Sequence, residues 1–302
     1  MNELIEHLIA QAGQILLGKE QQIKLALACM LAKGHLLIED LPGMGKTTLA
    51  HCLSAVLGLR YDRVQFTSDL LPADILGASI FDKRNSAFKF HPGPVFTQIL
   101  LADEINRTTP KTQSALLEAM EEYQVTIDGE CRPLPEPFFV IATQNPINQS
   151  GTFPLPESQL DRFLMRISLG YPNPESEMEL YKGVSPRERL KVLKPLINLE
   201  QFFALQAQVH QVKASDSLLS YLQRLVQFTR DNEKFSYAIS PRGALAWLQS
   251  AKAWALVDGR GFVIPEDIQA VCFPVVAHRI KGSMGADQLI RYLMSEVDVI
   301  GK

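Results

Sequence analysis

Cysteine is scarce in this chain and is too widely spread to hold a metal ion. The 302 residues include 4 cysteines, and none of them forms a C-x-x-C pair or lies near histidines with metal-ligand spacing. Their positions are Cys29, Cys52, Cys131 and Cys272. This usage indicates reduced thiols rather than a cysteine-based metal site.

The chain also lacks an excess of positive charge. Lysine and arginine number 30 against 33 aspartate and glutamate residues, which gives a formal net charge of -3 and a pI of about 6.1. No global positive field is present to hold nucleic acid, which argues against a protein that coats nucleic acid. A hydrophobic share of 46% supports a sizeable buried core, and the length predicts about two domains.

Long apolar runs are absent as well. Lys33, Gln98 and Asp103 interrupt the longest apolar stretches well short of the roughly 18 residues that a membrane-spanning helix needs. The opening residues carry acidic side chains and no basic cluster of the kind that begins a secretory signal. We expect a soluble, cytoplasmic protein without membrane insertion.

Short apolar runs alternate with helical patterns through the first half of the chain. Residues 4–17 and 21–32 have helical spacing and precede a strand at 35–39, after which a glycine-rich loop leads into a helix from Leu49. Further strand-like runs lie at residues 61–66, 98–102, 138–143 and 163–169, with a helical interval at 111–122. This alternation predicts an α/β fold with a mostly parallel sheet covered by helices on both faces.

The pattern changes after the Tyr-Pro-Asn-Pro sequence at residues 171–174. Strand-like runs end there, so we predict an α/β domain over residues 1–172 and a connector with a helical domain over residues 173–302. Asp216 is predicted to cap a later helix, and the mixed-charge stretch 182–194 is predicted to be a solvated connector. The predicted helices of the second domain are 199–212, 216–230, 241–257 and 265–277.

Two segments interrupt the alternation and have the pattern of hairpins. The first lies near residues 78–90 and has a polar turn at its centre. The second lies near residues 124–134 and contains Asp128-Gly129, a dipeptide typical of a two-residue hairpin turn. Both are predicted to project from the sheet. The pattern alone does not separate a functional insert from an ordinary connecting loop.

The loop after the first strand has the composition of a phosphate-binding loop. Glycines let backbone N–H groups close around a polyphosphate, and the N-terminus of the following helix adds positive potential. Lys46 should reach the β- and γ-phosphates, and Thr47 should offer a hydroxyl to Mg²⁺. Asp40 stands where the usual G-x-x-x-x-G-K-[ST] pattern has its leading glycine. The predicted nucleotide-binding residues are Pro42, Gly43, Met44, Gly45, Lys46, Thr47 and Thr48.

Two carboxylates follow the apolar run that ends at Ala102. Ligands of open α/β sheets bind at the carboxyl ends of the strands, where Asp103 and Glu104 are expected. We predict that Asp103 holds Mg²⁺ through water and that Glu104 polarises the water that attacks the γ-phosphate. An acidic pair at a strand end is common by itself, but its combination with a phosphate loop favours ATP and Mg²⁺ as cofactors.

Three further polar side chains are candidates for the same chemistry. Asn145 follows the run 138–143, where its amide should bind the γ-phosphate or the attacking water, and Pro146 should end that strand. Arg162 precedes the last strand, and Arg242 opens a helix of the second domain. Most arginines are surface ion-pair partners, so the residues alone assign these two no role.

Four motifs together resemble the MoxR family of AAA+ ATPases. They are D-L-P-G-M-G-K-T at 40–47, L-A-D-E-I-N-R at 101–107, Q-S-A-L-L-E-A-M at 113–120 and A-T-Q-N-P at 142–146. Residues 155–163 and 240–243 fit the same family, so the resemblance spans nearly the whole chain. The phosphate loop of this family commonly lacks its leading glycine, which accounts for Asp40. The residues themselves assign no role to Asn106 and Arg107.

The resemblance implies an AAA+ core of α/β type followed by a helical lid, assembled as a ring, expected to be a hexamer, with ATP between subunits. The hairpins near 78–90 and 124–134 are similar to the family's helix-2 insert and pre-sensor-1 hairpin, which face the pore or a partner. The implied positions are Lys46 and Thr47 for Walker A, Asp103 and Glu104 for Walker B, Asn145 for sensor 1, Arg162 for the arginine finger that enters the neighbour's site, and Arg242 for sensor 2.

The implied function is Mg²⁺-dependent ATP hydrolysis that remodels or matures a protein client, together with a von Willebrand factor A domain partner. A nucleic-acid motor or a chelatase-like ATPase subunit would share the inserts, but Lys83, Arg84 and Lys89 are few basic residues for a nucleic-acid contact. A nucleotide-sensing scaffold that does not hydrolyse ATP would need neither Glu104 nor Arg162.

Overall fold

Helices and strands are interspersed from the first helix to the end of the core sheet. The computed structural model describes residues 2–145, 151–183 and 186–301. Its first elements are α1 (Asn2–Ile15), α2 (Glu20–Leu31), β1 (His35–Glu39), α3 (Lys46–Leu57), β2 (Tyr61–Gln65), α4 (Pro72–Leu76), β3 (Gly77–Asp82), β4 (Ala87–Pro92), β5 (Ile99–Asp103), a 3₁₀ turn (Ile105–Arg107), α5 (Pro110–Glu122), β6 (Gln124–Ile127), β7 (Glu130–Pro133), β8 (Phe139–Gln144), α6 (Glu157–Leu160) and β9 (Phe163–Ile167).

Five strands form one parallel sheet in the order β2-β5-β8-β1-β9. β1 lies between β8 and β9, with Leu37 opposite Ala142 and Arg166. β5 lies between β2 and β8, with Ala102 opposite Val64 and Ala142. Because all these pairs are parallel, the carboxyl ends of the strands meet at one edge, where ligands bind in sheets of this kind. The predicted parallel sheet is confirmed.

The central strands β1, β5 and β8 are covered on both faces, whereas the edge strand β2 keeps exposed residues. On β1, Leu36 and Ile38 pack into a core shared with the first three helices and the C-terminal helices. Leu37 points to the other face and packs into the core that contains Leu117 and Met120 of α5. Residues that alternate along a strand point to opposite faces. A strand that is covered on both faces therefore consists of consecutive apolar residues, as β1 largely does.

Two antiparallel hairpins stand apart from this sheet, as predicted. β3 pairs with β4, and β6 pairs with β7 through a turn at Asp128 and Gly129. These two residues have φ of 54° and 79°, the positive values that a type I′ turn requires at both central positions. The hairpins also contact each other, because the Arg132 guanidinium lies 4.0 Å from the centre of the Phe90 ring.

The described chain after β9 is mainly helical. Its elements are α7 (Pro174–Lys182), α8 (Pro186–Val192), α9 (Leu199–Gln211), α10 (Asp216–Asp231), β10 (Phe235–Tyr237), α11 (Pro241–Val257), α12 (Pro265–Ala270), α13 (Cys272–Val276), β11 (Lys281–Gly282) and α14 (Ala286–Glu296). The short strands β10 and β11 pair in antiparallel fashion. They were not predicted, because two or three residues are too few to show a strand period.

The predicted helix 265–277 is two helices. α12 ends at Ala270 and α13 begins at Cys272. Pro274 explains the break, because a proline ring clashes with the carbonyl four residues earlier, which here belongs to Ala270.

The predicted cap of α10 lies one residue too late. Ser215 is the N-cap, and its Oγ accepts a hydrogen bond of 3.2 Å from the Leu218 amide. Asp216 is the first helical residue, where a carboxylate interacts favourably with the helix dipole.

The stretch 182–194 is not a solvated connector throughout. It contains α8, and Leu190 of that helix is buried in the large core. Arg189 donates a hydrogen bond of 2.8 Å to the Gln14 carbonyl on α1. The many charged residues of the stretch obscure the pattern of an amphipathic helix, whose apolar side packs on the core.

The C-terminal helices pack against the sheet's own core. Trp247 of α11 is fully buried, and its indole N–H donates a hydrogen bond of 2.8 Å to the Ile268 carbonyl. A buried indole N–H normally finds such a partner. None of the described helices is both long enough and apolar enough to cross a membrane.

Candidate active site

The loop between β1 and α3 is shaped by two glycines. Gly43 and Gly45 have φ of 86° and 94°, a left-handed conformation that glycine adopts at little steric cost. α3 begins at Lys46, three residues before the predicted start at Leu49. The predicted phosphate-binding residues Lys46 to Thr48 therefore form the first turn of the helix, where backbone N–H groups are free to bind an anion.

Lys46 links this loop to a neighbouring strand. Its Nζ donates a hydrogen bond of 2.6 Å to the Asp40 carbonyl and one of 3.0 Å to Oδ1 of Asn145. Burial lowers the pKa of the Lys46 ammonium, while the nearby carboxylates of Asp40, Asp103 and Glu104 act in the opposite direction. The ammonium is thus held at the centre of the cleft, in contact with the end of β1 and the residue after β8.

Asp40 fastens the loop to the end of β9. Its Oδ2 accepts hydrogen bonds from the amides of Leu169 and Gly170, both at 2.7 Å, and from Ser168 Oγ at 3.0 Å. Burial raises the pKa of Asp40, but these bonds and one from the Leu41 amide outweigh it, so the net pKa lies below the ordinary value. The residue that replaces the usual glycine is therefore a structural anchor.

A buried lysine holds the same segment from the other side. Lys19 Nζ donates hydrogen bonds to the carbonyls of Leu169, Gly170 and Tyr171 at 2.7, 2.9 and 2.7 Å. Burial lowers the pKa of this ammonium, and the Asp40 carboxylate opposes that effect. Asp40 and Lys19 together fix the chain where it leaves β9 toward the C-terminal helices. No pattern in the sequence indicated this contact.

Asp103 ends β5 at the edge that the loop occupies. Its Oδ1 accepts a hydrogen bond of 2.6 Å from Thr143 Oγ1. Its Oδ2 accepts bonds from Nη2 and Nε of Arg63 at 2.6 and 3.2 Å. Neither Thr143 nor Arg63 was predicted as part of the site.

Glu104 is held in an unusual backbone conformation. Its φ is 59°, a left-handed value that a side chain with Cβ adopts only under constraint, and such residues concentrate at functional sites. Its Oε1 accepts a bond of 3.1 Å from Asn145 Nδ2, and its Oε2 accepts from Gln65 Nε2 at 3.0 Å and from Arg107 Nε at 2.9 Å. Glu104 thus faces the predicted Asn145, and Arg107 gains a structural partner.

These residues enclose one cleft of about 350 Å³. Its lining is Pro42, Gly43, Gly45, Lys46, Thr47, Thr48, Arg63, Gln65, Asp103, Glu104 and Asn145. Met44 was predicted with them, but its side chain packs against the hydrophobic core. Arg63 and Gln65 are two residues apart on β2, so their side chains point to the same face of the sheet. This spacing was the signal in the sequence that could have indicated them as residues of the cleft.

The donor chemistry of the cleft fits Mg²⁺ bound together with a polyphosphate. Thr47 and Asp103 supply the oxygen ligands that Mg²⁺ prefers, and this ion takes few protein ligands when phosphates complete its shell. Across the described ranges, no group of three or more His, Cys, Asp or Glu side chains could hold a metal by itself.

Arg162 and Arg242 lie at the opposite edge of the sheet. They line a separate cleft of about 190 Å³ with His35, the first residue of β1. Arg162 Nη2 lies 3.2 Å from Oε2 of Glu121, and Arg242 Nη1 lies 3.0 Å from Oε1 of the same carboxylate. The structure brings the two predicted arginines together, but away from the phosphate loop of their own chain.

Asn106, to which the sequence assigned no role, makes structural contacts on both sides. Asn106 Nδ2 donates a hydrogen bond of 3.3 Å to the Asn145 carbonyl, and the Asn106 carbonyl accepts one of 2.6 Å from the Phe153 amide. Asn106 therefore anchors the chain on both sides of residues 146–150. Pro146, predicted to end the strand, lies outside the described residues.

Comparison with known proteins agrees with this geometry. The profile of the ATPase family associated with various cellular activities (AAA) matches residues 35–165, and that of the AAA lid domain matches residues 227–296. The chain is 40% identical to the chaperone MoxR1 of Mycobacterium tuberculosis over 91% of its own length and 75% of that protein. The chain belongs to the MoxR family of AAA+ ATPases. The resemblance and the fold class predicted from the motifs are confirmed.

Two further relatives cover nearly the whole length of this MoxR-family chain. YeaC of Bacillus subtilis is 43% identical over 99% of the chain and 94% of that protein. A crystal structure of a Cytophaga hutchinsonii protein assigned as an ATPase has a TM-score of 0.90 and 35% identity, and covers 99% of this chain and 96% of that one. The solved structure therefore shares the fold of this chain over nearly its whole length.

Proposed function

We propose that this chain is a Mg²⁺-dependent ATPase of the cytoplasm whose active sites form between the subunits of a ring, with six as the expected number. One observation carries the proposal. The cleft at the phosphate loop contains Lys46, Asp103 and Glu104, whereas Arg162 and Arg242 lie at the other edge of the same subunit. A second subunit would have to supply its arginines to complete the first subunit's site.

Within the cleft, each side chain has a distinct task. Lys46 and the first-turn amides of α3 bind the phosphates, and Thr47 and Asp103 hold Mg²⁺, which when bound neutralises phosphate charge. Glu104 accepts the proton of the attacking water as general base. Asn145 contacts both Lys46 and Glu104, so it aligns the phosphate-binding group with the base.

Arg162 and Arg242 act on the neighbouring subunit's nucleotide. Their charge would stabilise the negative charge that develops on the γ-phosphate during transfer, an effect worth about 10³- to 10⁵-fold in rate in related NTPases. Because both contact the same carboxylate in this structure, they are close enough to meet one phosphoryl group together.

The work driven by hydrolysis is remodelling of a protein client, assisted by a partner with a von Willebrand factor A domain. A MoxR1 relative is named a chaperone, which supports a protein client over nucleic acid. The exposed side chains of Phe81 and Phe88 on the β3–β4 hairpin offer an apolar surface to such a client.

The proposal is tested by steady-state ATP hydrolysis with Mg²⁺ across a range of protein concentrations. Specific activity should rise with concentration in the wild type and stay flat in Arg162→Ala, which should still bind nucleotide. Arg291→Ala, which removes an exposed arginine of α14, is the matched control. Mixing Arg162→Ala with Glu104→Gln subunits should restore activity, because each supplies what the other lacks. No restoration would contradict a shared site.

A further inference from the structure

A single carboxylate contacts both arginines of the cleft beside His35. Glu121 of α5 presents one oxygen to each, with Oε1 3.0 Å from Arg242 Nη1 and Oε2 3.2 Å from Arg162 Nη2. The next carboxylate, Asp161, lies farther from Arg242, at 3.9 Å. Asp161 is instead engaged at 2.7 Å by the buried guanidinium of Arg279.

Neither charge is placed to stabilise its own helix. Glu121 lies in the last turn of α5, which carries no basic residue, so its carboxylate faces the negative end of the helix dipole. Arg242 lies in the first turn of α11, at the positive end. The two groups offset each other's unfavourable position, so their pairing is more specific than a chance surface contact.

The contact is open to competition. The side chains of Arg162, Glu121 and Arg242 are 28%, 35% and 57% exposed, so solvent and another subunit can reach them. Ion pairs with this exposure contribute little net stability. A terminal phosphate carries more charge than a carboxylate and offers more oxygens to guanidinium groups, so it is the stronger ligand.

We infer that Glu121 is an internal competitor of the neighbour's γ-phosphate. In the free subunit its carboxylate pairs with both Arg162 and Arg242, and the arginines act only when a triphosphate displaces it. ADP lacks the phosphate that would do so. Glu121 thereby limits assembly of subunits around ATP and weakens it by a fixed factor. This inference rests on the proposed action of the arginines in trans.

Glu121→Gln tests the inference with Glu122→Gln as the matched control. Both substitutions remove one negative charge from exposed residues in the same turn of α5, but only Glu121 contacts the two arginines among the described residues. Assembly is followed by sedimentation velocity against protein concentration, with ADP or with a non-hydrolysable ATP analogue.

With the ATP analogue, Glu121→Gln should lower the protein concentration for half-assembly about 3- to 10-fold, the range expected for release of two weak ion pairs. With ADP the change should stay below about 2-fold, and Glu122→Gln should change neither value by more than that. The gain should also vanish when Arg162 and Arg242 are both alanine, because no guanidinium remains to be released.

Three results would overturn the inference. Weaker assembly of Glu121→Gln would mean that the carboxylate orients the arginines for use. An equal gain in Glu122→Gln would mean that general charge repulsion is responsible. If Glu121→Gln assembles like the wild type while Arg162→Ala assembles poorly, Glu121 does not compete with the γ-phosphate, although the active site is still shared between subunits. If Arg162→Ala assembles and hydrolyses like the wild type, the proposed function fails first.

Discussion

Arg63 donates two hydrogen bonds to a single oxygen of Asp103, from Nη2 at 2.6 Å and from Nε at 3.2 Å. The two residues lie on adjacent parallel strands, β2 and β5, at their shared carboxyl edge. The arginine side chain is 47% exposed, whereas that of Asp103 is 11% exposed. A partly exposed guanidinium thus occupies the carboxylate to which we assign Mg²⁺.

We expect Arg63→Ala to strengthen the response of the site to Mg²⁺. Asp103 would lose a competing positive charge, and a charge-assisted contact of this kind is worth about 3- to 10-fold in an equilibrium. The measurement is binding of a fluorescent ATP analogue titrated with Mg²⁺, where the half-saturating Mg²⁺ concentration should fall by that factor.

Arg60→Ala provides the control, because Arg60 is exposed and lies outside the cleft lining. It should leave the half-saturating Mg²⁺ concentration unchanged. If Arg63→Ala instead raises that concentration, the guanidinium holds Asp103 in its metal-binding orientation and does not compete with the ion.

Glu104→Gln should separate nucleotide binding from turnover. The amide keeps the size of the side chain but cannot accept a proton, so ATP hydrolysis should fall about 10²- to 10⁴-fold. Nucleotide affinity should change little, because Lys46 and the first-turn amides of α3 are untouched. Equilibrium binding of a labelled ATP analogue checks the second point, with Lys46→Ala as the variant that should not bind. Turnover of Glu104→Gln at the wild-type rate would exclude it as the base.

The local parts of the site were predictable from sequence. The loop from Pro42 to Thr48 and the pair Asp103-Glu104 are contiguous motifs bounded by apolar runs, and their chemistry depends on residue types at fixed spacing. The central strands β1, β5 and β8 were predictable because strands that are buried on both faces leave continuous apolar runs in the sequence.

Contacts between distant residues were not predictable. Asp40 is separated by 129 residues from Leu169, whose amide it binds, and nothing near Asp40 in the sequence indicates that partner. Glu121 lies among other charged residues of α5 and has no local signal at all. Such pairs depend on how the sheet orders its strands, which periodicity does not reveal.

Asp40→Asn should destabilise the fold. The amide would place N–H donors near those of Leu169 and Gly170, and an unsatisfied buried group costs about 1–3 kcal/mol. Urea unfolding at neutral pH measures the loss. Asp62→Asn, on the exposed face of β2, is the control and should cost less than about 0.5 kcal/mol.

The Asp40 effect should depend on pH in one direction. Its pKa in the folded state lies below the unfolded value, so its stabilising contribution is complete above the unfolded pKa and is lost as pH falls through the folded one. The stability difference between wild type and Asp40→Asn should therefore shrink in acid. A difference that stays constant from neutral pH to about pH 3 would show that the charge of Asp40 is not what stabilises the segment.

His35 gives a second pH dependence with a different window. The imidazole is buried, its Nδ1 accepts a hydrogen bond of 3.0 Å from the Val140 amide, and its Nε2 lies 3.0 Å from the Met120 carbonyl. One nitrogen must accept and the other donate, which is the neutral form. Burial lowers the pKa of His35 from 6.5 to about 4, and the bond to Met120 opposes that shift.

This histidine should make the fold sensitive to mild acid. Above about pH 6.5 the His35 ring is neutral in both the folded and the unfolded chain, so its titration does not change the free energy of unfolding. Between pH 6.5 and 4 the unfolded chain binds a proton at this ring that the folded chain does not. Wild-type stability should then decline across that window relative to His35→Gln, by about 3 kcal/mol in total, and level off below it. Urea unfolding at several pH values measures the difference, with His210→Gln, on the exposed side of α9, expected to run parallel to the wild type. If the stability difference is the same at pH 7 and at pH 4, His35 takes up its proton in the folded state as readily as in the unfolded chain. The Val140 amide would then lose its hydrogen-bond acceptor in mild acid.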